Sequence, residues 1–146
     1  MSFYKFKELK VYASTEWLAD NKKKYRQVFD RYELSYIYAE ISFHNKLFDE
    51  EDWDISIKLK CFSVNRGKRK ELCELVLNKK VSKYDQIVFL REGWGNKSEG
   101  TFWKKGTYYW EAYIEGEKVA SKYFYIEDAG TPVLEDANPY IRVESL

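Results

Sequence analysis

Gly106–Asp128 reads GTYYWEAYIEGEKVASKYFYIED. Two runs of alternating side chains flank a short Glu115-Gly116-Glu117 turn, the pattern of a β-hairpin with one buried face. In the first run Tyr108, Trp110, Ala112 and Ile114 share one side, and Tyr109, Glu111, Tyr113 and Glu115 share the other. In the second run Ala120, Phe124 and Ile126 fall together, with Lys122 at the same parity. A period of two places these sets on opposite faces of a pleated strand.

The same period recurs upstream. In Glu33–Asn45 the residues Ser35, Ile37, Ala39, Ile41 and Phe43 share a face. In Trp53–Phe62 the residues Trp53, Ile55, Ile57, Leu59 and Cys61 point one way, and Asp54, Ser56, Lys58 and Lys60 the other. Tyr4–Ala13, Leu72–Leu77 and Gln86–Leu90 read as further strands, and Tyr25–Phe29 as a short edge strand. Asn65-Arg66-Gly67-Lys68 reads as a turn. Ser14–Lys24 reads as one helical turn or a long loop, the polar Asn78–Asp85 as a connection, and Gly93–Gly106 as a glycine-rich loop.

About seven strands, little helical periodicity and no alternation of strand and helix predict an all-β fold, an antiparallel immunoglobulin-like β-sandwich. Its expected core includes Ile37, Ile41, Ile55, Ile57, Leu59, Tyr108, Trp110, Ala112 and Ile114. Gly106-Thr107-Tyr108 before Trp110 fits the tyrosine corner of such folds, in which a tyrosine hydroxyl bonds back to the backbone. The expected domain spans 1–128. Residues 129–146 are expected to be a linker, with Gly130, Pro132 and Asn138, and the first strand of a following similar domain. Val143-Glu144-Ser145-Leu146 repeats the pattern of Phe6-Lys7-Glu8-Leu9, against the plain alternative of chance over four residues.

Composition bounds the function. The chain has 146 residues, 45% hydrophobic, 34% charged and 18% aromatic, with 13 tyrosines and a net charge of +1. This is a globular composition, rich in residues that favour strands. A near-neutral chain lacks a global field for polyanions, so neither nucleic acid nor a membrane is expected as a partner. Lys22–Lys24 and Arg66–Lys70 then read as solvated loops rather than phosphate sites. MSFYKFKELK has no continuous apolar run, so no signal peptide is expected, and the expected compartment is the cytoplasm. Cys61 and Cys73 read as reduced core thiols in preference to a disulfide across the sandwich.

Catalytic constellations are sparse. His44 is the only histidine. Gly95–Thr101 imitates a phosphate loop but lacks its lysine. Asp49–Asp54 crowds carboxylates without calcium-loop spacing and reads as a solvated loop, so no metal and no cofactor is expected. The candidate ligand or partner contacts are the loop aromatics Trp94, Phe102 and Trp103 and the tyrosine stripe Tyr109, Tyr113, Tyr123 and Tyr125. The loop aromatics have a second reading, as a lid over one end of the core.

The hairpin, with its Gly-x-Tyr start, glycine turn and Phe-x-Ile finish, resembles the last two strands of immunoglobulin-like and fibronectin-like accessory modules. FKELKVYAS, YELSYIYAEISFHNKLFDEEDWDISIKLKCF and PYIRVESL resemble the N-terminal β-domain region of bacterial AAA-type ATPases. This resemblance covers most of the chain, which nonetheless carries no Walker motif. It implies a non-enzymatic module for protein interaction or substrate recruitment at the front of a larger protein, with a protein partner or sister domains of the same polypeptide. Any ATPase activity would lie elsewhere in that protein. The alternatives are a carbohydrate-binding module using the loop aromatics and a small carboxylate-based hydrolase.

Overall fold

Alternating strands with one apolar face must bury that face, and here they do so in two sheets around one core. The computed structural model describes residues 2–14, 24–25 and 27–128. Its strands are β1 (Tyr4–Ser14), β2 (Lys24–Tyr25), β3 (Val28–Asp30), β4 (Tyr36–Asn45), β5 (Trp53–Asn65), β6 (Lys68–Val81), β7 (Ile87–Gly95), β8 (Gly106–Ile114) and β9 (Glu117–Glu127). A 3-10 turn, Arg31–Glu33, follows β3, closed by a capping box between Asp30 and Glu33.

One sheet has the order β2-β1-β4-β7 and the other β3-β9-β8-β5-β6. All pairings are antiparallel except β3 with β9, so the second sheet is mixed. The inward residues of both sheets form one cluster. Leu9, Val11, Ile37, Ala39, Ile41 and Phe43 come from the first sheet, and Ile55, Ile57, Leu59, Trp110, Ala112, Ile114 and Phe124 from the second. All nine positions expected in the core are buried.

The fold is thus almost entirely β, with three corrections of detail. There are nine strands among the described residues rather than about seven, because β2 and β3 are short edge pieces. β6 runs over Lys68–Val81, well beyond Leu72–Leu77, because it pairs with β5 from Asn65↔Lys68 to Trp53↔Val81. Backbone pairing carries its polar ends, and side-chain hydropathy does not report that. Gly93–Gly95 likewise belongs to β7, opposite Tyr36–Tyr38. A Cβ on Gly93 would stand 2.8 Å from the Tyr38 ring. Glycine there lets that ring lie flat over the strand and stack on Tyr12 at 4.8 Å.

Both hairpin turns use left-handed residue pairs, Arg66-Gly67 (φ 54° and 77°) and Glu115-Gly116 (φ 50° and 84°). Such pairs match the right-handed twist of the strands they join. Cys61 and Cys73 are free thiols opposite each other on β5 and β6. Burial pushes the Cys73 thiol up to about 12. The expected linker, the repeat at Val143–Leu146, the 129–146 boundary and most of Ser14–Lys24 lie outside the described residues.

Candidate functional site

The outward face of the five-stranded sheet carries a row of rings and cations. Phe62 sits next to a bulge at which Leu72 is the extra residue of β6, between Cys61↔Cys73 and Phe62↔Glu71. It keeps the outward parity of Lys58 and Lys60 and lies beside Tyr109, which in turn pairs with Tyr123.

The Phe62 and Tyr109 rings stack at 5.0 Å with an interplanar angle of 19°, and Tyr109 meets Tyr123 at 5.0 Å. The Arg69 guanidinium caps the row 4.6 Å from the Phe62 ring centre. Its Nη1 also donates to the Tyr109 hydroxyl at 3.0 Å. Three strands therefore contribute to one aromatic ladder with a cation at its β6 end. The ring faces and the guanidinium attract each other, which preorganises the row.

Phe62 and Tyr109 are buried, whereas Tyr123 is 44% and Tyr125 42% exposed. Above the ladder, the β5–β6 tip presents Arg66, Lys68, Arg69 and Lys70 in five residues without a carboxylate.

Below the ladder Glu111 is buried on this outward face, at 4% exposure. Its carboxylate accepts from the Tyr113 hydroxyl at 2.8 Å and from Lys118 Nζ at 3.1 Å, with Arg69 Nη1 at 3.4 Å. Burial alone would raise its pKa. The bonds from Tyr113 and Lys118 and the charges of Lys118 and Arg69 outweigh that, and hold it below the ordinary value. The bond to Glu111 raises Tyr113 in turn. Glu111 thus fixes Arg69 and Tyr113 on either side of it.

The expected site residues fall into two separate places. Tyr109, Tyr113, Tyr123 and Tyr125 share the outward face, but Tyr109 is covered by its neighbours rather than exposed. Trp94, Phe102 and Trp103 lie together at one end of the core. Trp103 is 1% exposed and packs edge-on against Phe102, Tyr108 and Phe124 at 5.1, 5.2 and 5.7 Å. Its Nε1 donates to the Trp94 carbonyl at 3.1 Å. Phe102 is half-buried and Trp94 36% exposed.

The residues that sequence reasoning missed are Phe62, Arg69 and Glu111. Phe62 was legible from its parity with Lys58 and Lys60. The position of Arg69 over that ring depends on a bulge that no local pattern announces.

No family model matches the sequence, and no curated protein matches it at a significant level. Among solved structures, the fold is similar to that of the Pseudomonas fluorescens alkylpurine DNA glycosylase AlkC bound to DNA containing an abasic site analog. The TM-score is 0.50 and the identity 11%, over 87% of this chain and 31% of that one. The chain therefore spans about a third of that protein's length.

This match corrects three expectations: a non-enzymatic protein-interaction module, no enzyme, and no nucleic acid as partner. The expectation of no enzyme rests on sparse catalytic constellations and a resemblance to non-enzymatic modules, and that of no nucleic acid on a net charge of +1. Against the first stands the recurrence of this fold within a DNA-bound glycosylase. The cation-rich tip at Arg66–Lys70 removes the second, because net charge is a sum and contact is local.

Proposed function

We propose that this chain is an immunoglobulin-like β-domain of a larger protein, and that it contacts nucleic acid through the outward face of its five-stranded sheet. The observation that carries the proposal is the guanidinium-capped ladder Arg69–Phe62–Tyr109–Tyr123 beside the Arg66–Lys70 tip. The tip cations take phosphates, and the exposed rings of Tyr123 and Tyr125 receive bases. Stacking needs an unpaired base, so single strands and opened sites bind in preference to intact duplex. The likeness to a part of a DNA-bound glycosylase supports the same reading.

The immunoglobulin-like assignment is supported by the Tyr108 hydroxyl, which donates to the Lys104 carbonyl at 2.8 Å, as a tyrosine corner does. The resemblance to the region ahead of bacterial AAA-type ATPases is retained as a proposal for the parent protein, with a cytoplasmic location. No helix among the described residues is long and apolar enough to cross a membrane. A phosphate-loop motif downstream in the parent reading frame would support that context, and its absence would overturn it.

The test of binding is fluorescence anisotropy with a labelled single-stranded oligonucleotide at several salt concentrations. With about four phosphates neutralised, log K should fall against log salt with a slope near −3. Replacing Tyr123 and Tyr125 by Ala should cost about 1–3 kcal/mol per stacked base. No change in anisotropy at low salt with about 100 μM protein, a range that includes non-specific binding, would refute the proposal.

A further inference from the structure

At the opposite end of the same sheet from the Arg66–Lys70 tip lies a cleft of about 530 Å³, lined by Ser2, Phe3, Tyr4, Trp53, Asp54, Ile114, Glu115 and Glu117. Its volume is within the range of small-ligand sites, roughly 300–1,000 Å³. Its walls are aromatic. Phe3 meets Trp53 edge-on at 5.6 Å and 82°, so two ring surfaces stand nearly perpendicular. Its rim carries three carboxylates, and none of the lining residues is a cation.

The walls are held in place. The Trp53 indole donates to Asn45 Oδ1 at 2.9 Å. Asn45 is itself buried, and its amide donates to the carbonyls of Ser82 and Asp85. The Tyr4 hydroxyl donates to Glu117 Oε1 at 3.1 Å. The Phe3 carbonyl accepts from the amide of Lys46 at 2.9 Å. Glu115 is fixed twice to β5: its amide donates to the Ser56 carbonyl at 2.9 Å, and its Oε2 accepts from the Ser56 amide at 2.6 Å. It holds a left-handed backbone, φ 50°, that glycine or asparagine would occupy at lower cost.

We propose that this cleft binds an aliphatic ammonium ligand, its methylene chain against Phe3 and Trp53 and its charge among Asp54, Glu115 and Glu117. Perpendicular aromatic faces attract a cation through their quadrupoles and accept apolar stems, while carboxylates supply the counter-charge. Neither inorganic cations nor neutral ligands use both halves of such a site. The same chemistry is offered by a free polyamine and by a lysine side chain of a peptide. The cleft shares no residue with the nucleic-acid face, so this proposal stands apart from the previous one.

Calorimetric titration at low ionic strength decides it, with spermidine and with Nα-acetyl-lysine methylamide as probes and Trp emission as a second readout. At least one probe should bind with a dissociation constant of about 1 mM or tighter. Spermidine binding alone identifies a polyamine site, and comparable binding of the lysine derivative identifies a peptide lysine. The double variant Asp54→Asn, Glu117→Gln keeps shape and the Tyr4 contact and should bind about tenfold more weakly. Phe3→Ala, at an exposed ring, should weaken binding severalfold with the melting temperature unchanged. The proposal is overturned if neither probe binds at about 10 mM. It is equally overturned if both folded variants bind as the parent does.

Discussion

Trp103→Ala is the sharpest test of how the open end of this fold is closed. Trp103 is 1% exposed, meets three aromatic rings edge-on, and its indole N–H is bonded to the Trp94 carbonyl. Burying a ring system of about 200 Å² stabilises by about 5 kcal/mol at 25 cal/mol/Å². Measured large-to-small changes at buried tryptophans cost about 3–5 kcal/mol. Together the two estimates put the loss at about 4–5 kcal/mol, a large share of a typical total of roughly 5–15 kcal/mol. For a domain of this size that corresponds to a fall in Tm of roughly 12–20 °C. Urea denaturation followed by far-UV circular dichroism measures the free energy, and Trp94→Ala serves as the control. Trp94 is 36% exposed and its carbonyl survives the change, so that control should lose about 1 kcal/mol or less. If Trp103→Ala stayed within about 1 kcal/mol of the parent, as surface substitutions do, the lid would not be a structural element and the reasoning would fail.

Glu111→Gln should destabilise by about 1–2 kcal/mol at pH 7, because it removes the charge that Tyr113, Lys118 and Arg69 surround. The folded-state pKa of Glu111 is depressed, so its contribution is present above the ordinary value of 4.5 and is lost as pH falls through the folded value. Stability against pH should therefore be flatter below pH 4.5 in the variant than in the parent, and parallel curves would contradict this. Gly95→Ala should cost roughly 3 kcal/mol or more, since its Cβ would lie 2.0 Å from the Ser35 carbonyl oxygen at φ 146°. Gly67→Ala, at φ 77° with open space around it, should cost only about 1 kcal/mol. Equal melting temperatures for these two glycine variants would show that the contact at Ser35 relaxes freely.

Some of this protein was written in its local sequence. The alternation of Ile55, Ile57, Leu59 and Cys61 and of Tyr108, Trp110, Ala112 and Ile114 gave strand identity and the inward face. A period of two belongs to the strand itself and does not depend on its partners. The two hairpin turns were legible for a similar reason, since Arg66-Gly67 and Glu115-Gly116 adopt the left-handed pairs that close a two-residue loop.

Other features depended on residues far apart in the chain. The length of β6 came from hydrogen bonds to β5, and the parallel placement of β3 beside β9 from the pairing of Val28–Asp30 with Tyr125–Glu127. Tyr109 looked exposed by parity, but Phe62, Arg69 and Tyr123 from three other strands cover it. The expectation of no nucleic-acid partner rested on a charge total, which is additive along the chain and blind to position. Sequence period therefore determined which side of each strand faces inward. Only the tertiary structure decided which side chains from different strands meet, because ladder, lid and cleft are built from contacts whose partners no local pattern specifies.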